Sequence, residues 1–151
     1  MVCKAYWEQE MREGNRLFNL GEFQDALAKY TQFMGPPFSL LDDTQPLCSS
    51  CLLLEIDRFI VTCHNICDCL IELQEFASVA KYAVLPVSEI KAFMDRPDFS
   101  DTEDERLLHK LSHCLTYYMA LMKPCHPKFG KANVQSMVKD LNVMVSMQEM
   151  W

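Results

Sequence analysis

Gly14-Asn15-Arg16-Leu17-Phe18-Asn19-Leu20-Gly21-Glu22-Phe23-Gln24-Asp25-Ala26-Leu27-Ala28-Lys29-Tyr30 reads as one helix ending, a break, and a second helix beginning. Upstream, Trp7, Met11, Gly14, Leu17 and Phe18 stand three and four residues apart, the spacing that gathers side chains on one face of an α-helix. Leu20-Gly21-Glu22 interrupts that period. Phe23, Ala26, Leu27, Tyr30 and Phe33 resume it, and Gly35-Pro36-Pro37 stops it. Two amphipathic helices joined by so short a break fold back on each other as a hairpin. Gly14, lacking a side chain, lets the second helix approach closely.

The same outline returns at Cys67-Asp68-Cys69-Leu70-Ile71-Glu72-Leu73-Gln74-Glu75-Phe76-Ala77-Ser78-Val79-Ala80-Lys81-Tyr82, where Phe76 stands 53 residues after Phe23. Between the two copies, Pro36 to Pro46 has turn chemistry and no period, so it reads as a loop. A long helix over Leu52 to Leu73 follows, with Leu53, Ile56, Ile60, Cys63, Cys67 and Leu70 in one stripe. The next helix starts near Phe76 with Val79, Ala80 and Ala83 inward. Pro86 predicts a kink or an end to it, and Ser88 a fresh cap for a short continuation to Met94. Ser100-Asp101-Thr102-Glu103 has capping-box spacing and opens a helix to about Met122. After the stop at Lys123-Pro124-Cys125-His126-Pro127, the residues Val134, Met137, Val138, Leu141, Met144 and Val145 predict a last helix. The expectation is an all-α chain forming one domain over 1–151. It has about six main helices in three antiparallel pairs, at about 5–34, 52–94 and, divergent, 101–148.

Composition narrows the function. Half of the residues are hydrophobic and 23% are charged, which suits a packed domain. A net charge of −7 speaks against a nucleic-acid partner, since phosphate binding needs clustered Lys and Arg. No stretch has the ~18–20 apolar residues of a membrane span, and the first residues lack the apolar core of a secretory signal, so a soluble cytoplasmic protein is expected. In that setting the 8 cysteines read as reduced thiols. Cys63, Cys67 and Cys69 lie inside a helix, the last two about 200° apart around its axis, which does not suit a zinc site. No glycine-rich elbow or oxyanion turn accompanies a Cys or His. The expectation is therefore no enzyme, no metal, no cofactor and no membrane partner.

Arg12-Glu13-Gly14-Asn15-Arg16-Leu17-Phe18, followed by Leu20-Gly21-Glu22-Phe23 and Ala26-Leu27-Ala28-Lys29-Tyr30, resembles the opening repeat of tetratricopeptide co-chaperones of the immunophilin type, nearest to the aryl-hydrocarbon-receptor-interacting-protein group. Asn65-Ile66-Cys67-Asp68-Cys69-Leu70 resembles the long second-repeat helix of that group. The resemblance covers roughly Trp7 to Val84. Tetratricopeptide arrays repeat about every 34 residues, so the 53-residue offset marks a lengthened linker and helix. What it implies is an adaptor holding a partner's peptide in a helical groove. The family's two-carboxylate clamp takes the acidic C-terminal tail of a heat-shock chaperone. Asn15 and Asn65 match its two asparagines, Arg12 and Arg16 add polar contacts, and Arg106 with Lys110 stand as a third-repeat basic pair. Met11 occupies the position of the clamp's first lysine. The alternative is a structural scaffold, a subunit of a larger complex or a homo-oligomer, whose groove is degenerate and whose Met-rich last helix packs on a partner.

Overall fold

A computed structural model describes residues 4–34, 49–95 and 99–122. These residues form α1 (Lys4–Asn19), α2 (Phe23–Thr31) with a short 3-10 turn Gln32–Met34, α3 (Ser49–Glu72), α4 (Phe76–Met94) and α5 (Asp101–Met122). There is no strand among the described residues. Five helices are therefore seen rather than six. The sixth, expected over Val134 to Val145, lies outside the described residues, as do the loop from Pro36 to Pro46 and the Met-rich tail.

The two helix-pair connections are the same structure twice. After α1, the Glu22 amide donates to the Leu17 carbonyl at 2.9 Å and the Gly21 amide to Phe18 at 3.0 Å. After α3, Glu75 donates to Leu70 at 2.9 Å and Gln74 to Ile71 at 3.0 Å. Each is a Schellman cap, in which one left-handed residue lets two amides beyond the helix bind its last carbonyls. Those residues are Gly21 (φ 78°) and Gln74 (φ 59°). α2 and α4 then start at Phe23 and Phe76, so the 53-residue offset read from sequence is a structural equivalence.

α3 is the centre of the packing, lying against α2, α4 and α5. Its expected stripe is buried throughout, and Leu52, Phe59, Ile66, Cys69 and Ile71 are buried as well. Helices on several sides explain how Cys67 and Cys69 both become fully buried although they project from nearly opposite faces. Complete burial of side chains such as Ile56 and Ile66 stabilises the fold by ~1.5–3 kcal/mol each. Trp7 of α1 reaches α3, its indole N–H donating to Thr62 Oγ1 at 3.3 Å with the Arg58 guanidinium over its ring at 5.8 Å.

Of the kink or end expected at Pro86, the end is corrected. Rather than ending there and being capped again at Ser88, α4 runs unbroken from Phe76 to Met94 with Pro86 inside it. The pyrrolidine ring is fully buried. Apolar burial of the ring, in a helix that packs on both α3 and α5, offsets the hydrogen bond that the missing amide forfeits. The capping box of α5 forms as expected: Ser100 N donates to Glu103 Oε1 at 3.1 Å, and Glu103 N to Ser100 Oγ at 3.2 Å.

Candidate functional site

At 100° per residue, Leu54, Asp57, Val61, His64, Asn65 and Asp68 fall within one sector of α3 about 100° wide. This inner face lies between α1 and α5. Leu54 and Val61 are 47% and 43% exposed on it, aliphatic side chains facing solvent from the most buried of the described helices.

Against α1 the face opens into a cleft of about 250 Å³ lined by Asn15, Phe18, Asn19, Tyr30, Asn65 and Asp68. The two asparagines read from sequence thus meet there from different helices. Tyr30 fixes the first: its phenol donates to Asn15 Oδ1 at 2.6 Å. Burial raises the Tyr30 pKa far above the ordinary phenol value, so it stays a proton donor. Asn65 instead directs Nδ2 at the sulfur of Met11, 3.8 Å away. Met11 itself is core, 5% exposed, and so supplies an acceptor and no charge where the clamp has a lysine.

Against α5 the face carries a second arrangement. The Tyr117 phenol donates to Asp68 Oδ1 at 3.1 Å and approaches the His64 carbonyl at 3.4 Å. Its ring stacks on His64 with centroids 3.8 Å apart, and His113 lies 5.8 Å from His64. Burial, helped by the neighbouring His113 charge, lowers the His64 pKa from 6.5 to about 4, so the ring is neutral near pH 7. Lys110 of α5 pairs with Asp57 of α3.

The expected basic residues do not join the asparagines. Arg12 and Arg16 line a separate cleft of about 410 Å³ with Gln9, Glu10, Glu13 and Lys29. There Arg16 is bound bidentately to Glu13 at 2.6 and 2.9 Å, and Lys29 to Glu10 at 3.0 Å. The Arg16 hydrogen bond holds the Glu13 carboxyl below its usual pKa. Arg106 is exposed one turn before Lys110, and neither lines the asparagine cleft.

Sequence reasoning missed Asp68. It was within reach: the 53-residue offset that pairs Phe23 with Phe76 also pairs Asn15 with Asp68. The result is one polar position per hairpin, each receiving a tyrosine hydroxyl, Tyr30 on Asn15 and Tyr117 on Asp68. Tyr30 and Tyr117 carried no signal of their own, because an aromatic at a helical repeat position reads equally well as plain core.

Cys63, Cys67, Cys69 and Cys114 are buried free thiols, and burial pushes Cys69 and Cys114 up to about 12. Such thiols hold their protons and are poor nucleophiles. Among the described residues no group of three or more His, Cys, Asp or Glu side chains is placed to hold a metal ion, and no helix is long and apolar enough to cross a membrane. Residues 5–150 match the family described as Protein of unknown function (DUF2753). No curated protein and no solved structure matches the chain.

Proposed function

We propose that this chain, which belongs to the DUF2753 family that its residues 5–150 match, is a tetratricopeptide-type adaptor that binds a segment of a partner protein along the inner face of α3. The observation that carries the reading is the cleft uniting Asn15 and Asn65, continued along α3 by the exposed Leu54 and Val61. Side-chain amides can bind the peptide groups of an extended segment, and aliphatic side chains about one and three turns away along the helix can bury its apolar residues. The repeated hairpin cap supports the tetratricopeptide part of the reading. The acidic chaperone tail implied by the resemblance would find three side-chain amides in this cleft, of Asn15, Asn19 and Asn65, but also the like charge of Asp68.

The test is selection of a displayed random peptide library on the full chain, with N65A and V61E variants in parallel and a Met-Glu-Glu-Val-Asp peptide as a separate probe. Enrichment on the natural sequence that both substitutions abolish is the expected result. Equal enrichment on all three proteins, or none, overturns the groove.

A second reading, the scaffold, draws on α5. Leu108 and Met119, 47% and 55% exposed, share one of its faces with the half-buried Leu115. A mass that rises with concentration in sedimentation, and falls back in an L108K/M119K chain, would favour it.

A further inference from the structure

We propose that the seam between α3 and α5 is an acid-sensitive joint, in which a proton taken up by His64 releases α5 from α3 and so regulates the cleft beside it. The link to ligand binding rests on the peptide-groove reading; the joint itself does not.

The joint follows from how α5 is held. Its apolar stripe, Leu107, Leu111, Cys114, Tyr118 and Leu121, is buried, and the helix packs chiefly on α4. Its links to α3 along the inner face are polar and aromatic instead. Lys110 pairs with Asp57, the Tyr117 hydroxyl donates to Asp68 Oδ1 at 3.1 Å, and the Tyr117 ring lies on His64 with centroids 3.8 Å apart. Contacts of this kind depend on charge state and orientation, whereas the apolar packing on α4 does not. α5 can therefore turn on α4 when the seam lets go.

His64 stands in the middle of the seam and is badly placed to carry a proton. Its Nε2 is buried and has no hydrogen-bond partner among the described residues. On α5 the groups that face it are His113, 5.8 Å away, and Tyr117, with Lys110 one turn before His113. On α3 its titratable neighbours are Cys67 and Asp68. Asp68 accepts from Tyr117, and the charge that acts on His64 is that of His113, which opposes protonation. Glu89 of α4 acts on Cys63, and Tyr30 of α2 is bound to Asn15. Both ring nitrogens of a charged imidazole are donors, so Nε2 would need an acceptor that the closed seam lacks. Water supplies one once the ring swings out. Leaving breaks the stack that seats the Tyr117 hydroxyl on Asp68, and Asp68 lines the cleft with Asn15 and Asn65. Closed, the joint holds the His64 pKa at about 4; open, the ring regains its ordinary 6.5. The open form therefore takes up the proton first, and the closed form loses ground as pH falls below about 6.5.

The experiment labels the full chain with 4,4′-dithiodipyridine at pH 7 and pH 5. Each thiol is followed by peptide mapping, and its rate is divided by that of free cysteine at the same pH. Cys67, whose thiol lies beside the Tyr117 hydroxyl, and Cys114, next to His113 on α5, report on the joint. Cys69, on the Tyr30 side of α3, is the control. After allowing for the partial exposure of His64, Cys67 and Cys114 are expected to react about tenfold faster at pH 5, with little change at Cys69. In H64Q that difference between the thiols disappears. An equal rise at Cys69, a rise that persists in H64Q, or no rise at all overturns the joint. Library peptides selected at pH 7 should lose more affinity at pH 5 on the natural chain than on H64Q, and equal losses overturn the link to the cleft. If no peptide is selected, the groove reading falls while the thiol rates still decide the joint.

Discussion

At the scale of single residues, Gly14 shows how position reverses a general preference. Gly to Ala in a helix interior ordinarily stabilises by about 1 kcal/mol. A Cβ at Gly14, however, would lie 2.5 Å from Cε1 of the buried Tyr30 ring, so the ring must move and its bond to Asn15 with it. G14A is expected to destabilise by ~1–3 kcal/mol in urea denaturation, the usual range for overpacking. This glycine was legible in the sequence because a gap in an otherwise bulky stripe has one obvious use. The polarity of the asparagines was not legible, since it depends on Tyr30 and Met11, fifteen and fifty-four residues away from their partners. His64 provides the pH dependence. Its pKa falls from 6.5 to about 4 on folding, so between those values the unfolded chain takes up a proton that the folded chain refuses. Stability is therefore full above about pH 6.5 and is lost as pH falls towards 4, by ~2 kcal/mol after allowing for the ring's partial exposure. An H64Q chain should show a flatter decline than the natural sequence across that window in denaturation measured at stepped pH.

At the scale of elements, the paired caps allow a clean comparison. Gln74 holds the left-handed conformation that Gly21 adopts without a Cβ penalty. Q74G should therefore stabilise by ~0.5–1 kcal/mol, and G21A should destabilise by ~1 kcal/mol, both read from thermal melts. No atom lies within 4 Å of a Cβ placed on Gly21, so its loss would be conformational rather than steric. The helices themselves were legible because their apolar spacing survives into the packing: the stripe predicted on α3 is the one buried. Of the kink or end expected at Pro86, the end did not occur, because local stereochemistry was weighed alone. A fully buried ring can keep a proline inside a helix that propensity would end.

At the scale of the whole molecule, the all-α class followed from composition and period together, while the extra burial on α3 could not. Periodicity reports one face, and a helix enclosed from several sides needs the others to be known. That enclosure governs the thiols. Of the five described cysteines only Cys51 is exposed. A thiol reagent at neutral pH should label Cys51 promptly. Cys63, Cys67, Cys69 and Cys114 should react only as fast as the fold opens, which peptide mapping after timed quenching would show. Prompt labelling of Cys67 or Cys69 would contradict their burial between helices.

Each helix packs chiefly on those next to it in sequence, α1 on α2, α2 on α3, α3 on α4 and α4 on α5. Contacts of such short range require little loop closure before they form. Either capped hairpin can therefore act as a folding nucleus without waiting for the other. A chain emerging from the ribosome could close α1 onto α2 while α4 and α5 are still being made, with α3 as the surface on which the two halves are later joined.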